Sequence, residues 1–520
     1  MKHEKSSTRL RGFLRRPTRE QLAATAAKEG MTLRDEDVEL FEGLFEDLFS
    51  SLDRVNALLP AEPERRWTRR SVGPLANSED DPFNAVVRWC DVAGADSGPL
   101  AGVRIGVKDN ISVAGVPVSN ASRTASHTST HDAVVIERLL DAGGRIVAKT
   151  NLDDYSALGT GESSWYGPPL NPHDPRRSAG GSSGGSGSAV ASGLVDLALA
   201  VDQGGSARIP ASFNGVVTLK ATHGRIPSFG VTHIDHTLDC ISPMARSVAE
   251  VAAALDVLSG PDKRDPQWQR STPLPSACVQ ALGRGVEGLK IAVLDEGADP
   301  AFCTPEVLSA FESSVEALQD LGATVVRISI PLWREAWNIE QALLAHMNWA
   351  MASSDGIGWN SMGYVDADRA HAYAVSRRLE ANEYSASYKL WLLAGRYLTE
   401  NYFTTVLAQA MNLRWTLERQ IEEAFGSVDA LIMPTTPHVA SELLDTPSGE
   451  AKIFERGTTM VQNTTPTNLA GNPSLAMPNG RGGNGLPTSL QIVTAHGADE
   501  LAVSIGAALE ARLGTFPPVG

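Results

Sequence analysis

Residues 179–187 constrain this chain more than any other stretch. They read Ala179-Gly180-Gly181-Ser182-Ser183-Gly184-Gly185-Ser186-Gly187, so every position after Ala179 is Gly or Ser. A run of this kind is ordinarily a flexible linker. Here helix-favouring residues 189–191 and an apolar stretch over 194–201 follow almost at once. A linker has no reason to sit between two core elements. The glycines are better explained as letting the backbone adopt dihedrals closed to other residues and approach a ligand closely. Residues 181–185 also satisfy G-x-S-x-G, with Ser183 as nucleophile, but in a Gly/Ser run that match is nearly automatic. No Gly-Lys-Ser/Thr follows, and no clear G-x-G-x-x-G precedes the helix, so phosphate-loop and dinucleotide readings fail.

A second cluster begins 20 residues after Ser182. It reads Asp202-Gln203-Gly204-Gly205-Ser206-Ala207-Arg208-Ile209-Pro210 and follows a strand-like run over 197–201. Consecutive glycines beside a serine at a strand end can present a row of backbone N–H groups, which is what an oxyanion hole requires. Asp202 and Arg208 read as a buried ion pair shaping that loop. The third element is Lys108, which ends the apolar run Arg104-Ile105-Gly106-Val107-Lys108. A lysine carried inward there is costly unless its charge is removed or paired.

From residue 86 onward, short β-rich runs alternate with helical ones. Strands are expected over 103–107, 145–148, 289–294, 324–330, 430–433, 474–477 and 489–493. Helices are expected over 133–142, 305–321 and 500–513. Thr304 and Pro305 suit an N-cap and first helical position, and Gly322 suits a stop. Residues 335–425 are mostly helical and rich in Trp, Tyr and Ala. This grammar implies an α/β fold, a mixed central sheet covered by helices on both faces, spanning 86–520 and interrupted by that helical insert.

Residues 1–85 read as a helical segment with a basic, disordered start. Lys2, Lys5, Arg9, Arg11, Arg15, Arg16 and Arg19 face only Glu4, and no apolar stretch follows to make a secretory signal. Around Leu10, Phe13 and Leu14 a short amphipathic anchor is conceivable, but a frayed tail is the simpler reading. Thr32 and Asp35 suggest a capping box. Val38, Phe41, Phe45, Leu48, Leu52 and Val55 then recur at helical spacing. That stripe must pack on the main body or on a second subunit. The stretch over 59–82 reads as a connector.

Composition narrows the function classes. Asp plus Glu exceed Lys plus Arg by 61 to 45, a net charge of −16, which disfavours nucleic acid and anionic membranes as partners. Cys90, Cys240, Cys278 and Cys303 are scattered without CxxC spacing, which points to a reduced, cytoplasmic compartment and neither a zinc site nor a disulfide framework. His233 and His236 flank Asp235, but no further ligands are nominated, so a loop pair is preferred to a metal site.

Taken together, Lys108 in Gly-Val-Lys-Asp-Asn, Ser182 in its Gly/Ser run, and Ser206 in Asp-Gln-Gly-Gly-Ser resemble the amidase signature family. The spacings of 74 and 24 residues also fit. Asn171-Pro172, Asp239, Pro243-Met244-Ala245-Arg246, Met433-Pro434-Thr435 and Gly485-Leu486-Pro487 agree, so the resemblance covers roughly 98–495. Ala207, Asn214, Ala221 and Ser242 depart from the usual pattern without removing a catalytic group. The Asp-Gln-Gly-Gly-Ser variant resembles bacterial amidases of the nitrile pathway, with urethanase and aryl acylamidase types also open.

The resemblance implies Ser206 as nucleophile, Ser182 as a relay with a cis peptide bond, and Lys108 as general base. The N–H groups of Gln203, Gly204, Gly205 and Ser206 would then hold the oxyanion. Lysine can serve as a base only when neutral, so burial must depress its pKa. The implied reaction is hydrolysis of a small amide, anilide or carbamate through an acyl-enzyme, with no metal or cofactor. Gln203, Tyr155, Trp333, Trp337 and Thr436 are candidate substrate contacts. The expected assembly is a homodimer acting on a small-molecule amide without nucleic acid or membrane. The alternatives are a glutamine-dependent amidotransferase subunit that hands ammonia to a partner complex, and a catalytically silent scaffold.

Overall fold

The computed structural model describes residues 14–58, 61–124, 126–265, 277–359, 361, 363–444, 449–483, 485–517 and 519. The basic start at Lys2, Lys5, Arg9 and Arg11, and Leu10 and Phe13 of the suggested anchor, lie outside them. The chain divides into two compact units, Met1–Glu64 and Arg65–Gly520.

In the first unit, helices Arg19–Lys28 and Asp35–Asn56 pack with Leu22, Ala26 and Val38 buried. Arg16 pairs with buried Asp53 at 2.5 Å and with Glu46 at 3.1 Å. The expected Thr32/Asp35 box does not form. Asp37 reaches back instead to the N–H of Arg34, at 3.0 Å, because the helix starts later than the sequence suggested. Of the anticipated apolar stripe only Val38 is buried, while Leu48, Leu52 and Val55 are exposed beside Leu40 and Leu44.

The second unit is built on a twelve-stranded mixed sheet among the described residues. In chain order the strands are β1 Arg70–Leu75, β2 Val86–Ala93, β3 Arg104–Lys108, β4 Arg145–Thr150, β5 Leu197–Asp202 and β6 Val217–Lys220. They continue as β7 Cys240–Ala245, β8 Lys290–Leu294, β9 Thr324–Ile328, β10 Ala430–Pro434, β11 Ser474–Arg481 and β12 Pro487–Thr494. Their spatial order is β1-β2-β4-β3-β5-β7-β6-β11-β12-β10-β8-β9. β3 lies parallel to both β4 and β5, whereas β7 runs antiparallel to β5. β1 falls inside the stretch read as a connector. Its backbone pairs with β2 and Arg70 forms an ion pair with buried Asp132, so a segment poor in apolar alternation is drawn in by polar contacts.

Alternation along β5 sends Leu197, Leu199 and Val201 to one core and Ala198 and Ala200 to another. The first core is covered by helices Val134–Asp141, Val248–Leu258, Pro305–Asp320 and Asp499–Leu513. The second admits helix Gly184–Ala191, whose eight residues are all buried. Small residues let that helix sit close. A Cβ on Gly185 would lie 2.3 Å from the Ala85 carbonyl oxygen. At helix Pro305–Asp320, Pro305 takes the first position as expected, but Thr304 makes no side-chain cap bond.

The insert contains helices Ala336–Ser353, Ala367–Leu379, Ala386–Tyr402 and Thr405–Phe425. The first and third cross tightly at Gly395, where a Cβ would stand 1.9 Å from the carbonyl oxygen of Ala345. In an open helix, Gly→Ala stabilises by about 1 kcal/mol. At this crossing overpacking reverses the sign, and Gly395→Ala should destabilise by about 1–3 kcal/mol in urea unfolding.

Candidate active site

Lys108 and Asp202 end two neighbouring parallel strands, β3 and β5, at the same edge. Carboxyl ends of adjacent parallel strands are where α/β sheets open a crevice. The Lys108 side chain is fully buried. Its Nζ lies 2.7 Å from Ser182 Oγ and 3.4 Å from the Val201 carbonyl. Among the described residues no carboxylate hydrogen-bonds it. Burial therefore dominates and pushes its pKa down to about 7, against the weaker opposing charges of Asp153, Asp239 and Asp202.

Ser182 sits where the chain enters helix Gly184–Ala191. The Gly181–Ser182 peptide is cis, and Gly180 has φ +75°. A Cβ on Gly181 would fall 2.1 Å from Asp153 Oδ2 and 2.4 Å from the Gly161 nitrogen, so only glycine fits. The adjacent Ser183 is occupied elsewhere. Its hydroxyl donates to the Val201 carbonyl at 3.1 Å and accepts the Val201 N–H at 3.4 Å. This structural duty removes Ser183 as an elbow nucleophile. The Ser183 N–H donates to the Ser206 carbonyl at 3.0 Å, which joins the two loops.

The turn after β5 is organised by Asp202. It accepts the N–H of Gly205 at 2.9 Å and of Ala207 at 3.1 Å, and pairs with Arg208 at 2.8 Å. Arg208 donates onward to Thr467 Oγ1 at 2.6 Å and Gln491 Oε1 at 2.9 Å. This corrects the expected oxyanion set, because the Gly205 N–H is consumed by Asp202. Among the described residues, the N–H groups of Gln203, Gly204 and Ser206 have no acceptor. Gly205 is left to do conformational work. Its φ is +133°, and a Cβ there would collide with Thr464 Oγ1 at 2.2 Å. Ser206 is partly exposed, whereas Ser182 and Lys108 are fully buried. A carbonyl arriving from solvent therefore meets Ser206 first. An activated serine beside free N–H donors and a neutral amine base can attack an acyl carbon and stabilise the resulting oxyanion.

The candidate substrate contacts divide. Trp333 is a core residue and not a pocket wall. The 3₁₀ turn Pro331–Glu335 folds it into the cluster of Ala292, Leu294, Leu343 and Leu431. Trp337, one helical turn on, touches both the Tyr155 cluster and the group of Ile209, Phe213 and Met460 beyond Ser206. Tyr155 stacks on Tyr388 with ring centroids 4.7 Å apart, and its hydroxyl is 3.3 Å from Thr124 Oγ1. Thr436 is buried, with its hydroxyl 2.7 Å from Ser212 Oγ. Its position supports the helix after Ser206 and offers no free group to a ligand. Gln203 is buried, and its Nε2 has no partner among the described residues.

Several site residues had no sequence rationale. Asp153 accepts Gly161 N–H at 2.8 Å and Ser163 Oγ–H at 2.6 Å, and so holds the loop that lies on Gly181. Burial raises the carboxyl of Asp239, named only as a family match, to about 7. It accepts the Ile234 N–H at 2.8 Å, and His233 Nδ1 is 3.2 Å away. Glu340 is a buried acid on the apolar face of helix Ala336–Ser353. That isolated acid among Ile339, Leu343 and Leu344 was the available signal. Ser163 also lines a cavity of about 600 Å³ bordered by Arg123, Trp165, Glu383 and Phe454.

The buried lysine, the two serines and the donor-lined turn lie together at one edge of a mixed sheet. The amidase family model matches residues 89–503, and the chain belongs to that family. A glutamyl-tRNA(Gln) amidotransferase subunit from Halobacterium salinarum is 35% identical, covering 82% of this chain and 99% of that protein. The same subunit from Methanosarcina acetivorans is 38% identical, covering 78% of this chain and 82% of that protein. The crystal structure of the corresponding Thermotoga maritima protein superposes with TM-score 0.69 at 28% identity, covering 84% of this chain and 91% of that one. These relatives are subunits of an enzyme named for a charged tRNA. They overturn the expectation of a homodimer that acts alone on a small-molecule amide, with no link to nucleic acid. The exclusion of nucleic acid leaned on net charge, which describes the whole surface and says nothing of a local interface, and the homodimer leaned on the apolar stripe over 38–55. No helix among the described residues is long and apolar enough to cross a membrane.

Burial alone would raise the Asp202 pKa, but the charge and hydrogen bonds of Arg208, with Asn468, hold it well below the usual carboxylate range. A depressed pKa stabilises the fold at pH above the unfolded value of about 3.9, and that contribution is lost as pH falls through and below it. Asp202→Asn leaves Arg208 buried without a counter-charge. It should cost about 3–5 kcal/mol at pH 7 by urea unfolding, with the gap from wild type narrowing toward pH 3.

Proposed function

We propose that the chain cleaves a carboxamide C–N bond through an acyl-enzyme, as the ammonia-releasing component of a glutamine-dependent amidotransferase-type assembly in the cytoplasm. The observation that carries the chemistry is the 2.7 Å contact between a fully buried Lys108 and Ser182. An amine whose pKa lies near 7 is neutral in a large fraction of molecules at neutral pH, which is what a general base needs. In this reading Ser206 Oγ attacks the carboxamide carbon, and its proton passes by way of Ser182 to Lys108. The oxyanion rests on the free N–H groups of the Gln203–Ser206 turn. The proton then returns to the departing nitrogen, ammonia leaves, and water releases the acid from Ser206.

This role within an assembly rests on relatives that are glutamyl-tRNA(Gln) amidotransferase subunits by name, at 34–38% identity, and not nitrile-pathway amidases or urethanases. The first unit lies outside the matched family region and has no counterpart role in this reading.

The test combines active-site labelling with partner capture. A fluorophosphonate should label Ser206 in the wild type, with the labelling rate rising as pH passes through about 7 and Lys108 loses its proton. Ser206→Ala should abolish the adduct. Lys108→Ala and Ser182→Ala should lower amide turnover by about 10³-fold or more. The tagged chain, isolated at native expression level, should bring down stoichiometric partner subunits and release ammonia from glutamine. Recovery without partners, together with turnover of anilides or carbamates but not glutamine, would overturn the role in an assembly and leave the Ser–Ser–Lys chemistry standing.

A further inference from the structure

Helix Ala336–Ser353 carries one acid on its buried face. Glu340 is 1% exposed, and its neighbours Ile339 and Leu343 are similarly enclosed. Its carboxyl presses on the turn that carries Ser206. A Cβ built on Gly204 would lie 2.4 Å from Glu340 Oε1 and 3.1 Å from both Cδ and Oε2. Gly204 does not have a positive φ, so the backbone strain that calls for glycine at Gly205 is not what calls for it here. The carboxyl of Glu340 is what excludes a side chain there. Gly204 is also held at its carbonyl, since Thr464 Oγ1 donates to that oxygen at 2.6 Å and Thr465 Oγ1 at 3.3 Å. The N–H groups of Gln203 and Gly204 remain free among the described residues.

We propose that Glu340 is a positioning residue for the reaction, its carboxyl bracing the turn at Gly204 while Thr464 and Thr465 hold the Gly204 carbonyl. The clamp fixes the direction of the two N–H groups that would receive the developing oxyanion, and this inference rests on the acyl-enzyme reading above. A donor that is not preorganised loses most of its value, because the site must then reorganise as charge develops.

Of the groups facing Glu340, the two aspartates favour its neutral form while Arg208 and Thr465 favour the ionised one, and burial outweighs them. Asp202 and Arg208 come from the turn, Asp235 from the loop before β7, and Thr465 is its hydrogen-bonding neighbour. Arg208 is committed to Asp202 at 2.8 Å, so among the described residues no cation is left to pair with Glu340. Burial, reinforced by the two aspartates, raises its pKa to about 8. Oε2 has no partner among the described residues, so an ionised carboxylate would keep one oxygen buried without a donor.

The experiment measures fluorophosphonate labelling of Ser206 in the full-length chain from pH 6 to 10, for wild type, Glu340→Gln and Glu340→Ala. Glu340→Ala should label about tenfold or more slowly at pH 7, since loss of the brace lets the donors drift. Glu340→Gln keeps shape and neutrality and should stay within about threefold of wild type at pH 7. Wild type should lose rate as pH rises through about 8, and Glu340→Gln should not. The rising limb near pH 7, which belongs to Lys108, should be common to both. An unchanged alkaline limb in Glu340→Gln, or unimpaired labelling of Glu340→Ala, overturns the proposal even if wild type labels normally. A wild type that takes no label at Ser206 overturns the acyl-enzyme reading and this inference with it. If Glu340→Ala does not fold, the Glu340→Gln profile decides alone.

Discussion

The fully buried pair of Asp202 and Arg208 is the interaction on which the site depends. Asp202 ends a central strand, and Arg208 starts the helix after the nucleophile turn. Between them the aspartate gathers two backbone N–H groups, while the arginine reaches side chains from the Thr465–Ala470 helix and from β12. Chain segments more than 250 residues apart are thereby tied to one seven-residue turn. A buried pair of this kind is not a strong source of net stability compared with an apolar substitute. Its value is geometric. The turn cannot relax without stranding a charge, so Gly204, Gly205 and Ser206 are held in one arrangement.

The electrostatics around the turn follow one pattern. Lysines and carboxyls are buried together, yet few are matched as ion pairs. Lys108 is pushed down, while Asp153, Asp239 and Glu340 are pushed up. Desolvation leads in every case, so the neutral forms gain. A site in which burial favours the neutral forms of Lys108, Asp239 and Glu340 can exchange protons near neutral pH without creating isolated charge in a low-dielectric interior. Arg208 is the exception, and its charge is answered in full by Asp202.

Much of this was legible in the sequence, for identifiable reasons. The Gly/Ser run and the Asp-Gln-Gly-Gly-Ser turn stand out because close backbone packing leaves no room for side chains. Lys108 stands out because a cation at the end of an apolar strand needs a reason. Alternation located β3, β4, β5, β8 and β9 to within a few residues. By contrast β6 and β7 carry Lys220 and Pro243 inside fully buried runs, and β1 owes its place to pairing. No local pattern announces such strands. Trp333 and Trp337 share a helical spacing, yet a 3₁₀ turn sends the first into the core. The Gly205 N–H looked available because its acceptor, Asp202, was read only as a partner for Arg208. Glu340 meets Gly204 across a long sequence separation, which a linear reading cannot see.

The contact between Gly204 and Glu340 carries a consequence for how such a chain can diverge. Gly204 lies outside the left-handed region that favours glycine, and yet the space its side chain would fill is already taken. A residue larger than glycine at 204 becomes admissible only after 340 has shortened, and a shortened 340 leaves an unfilled, unpropped site beside the turn. The two positions form a lock in which each single step is worse than either end state. A chain that remodels this corner must therefore change both positions together, although 136 residues separate them in sequence.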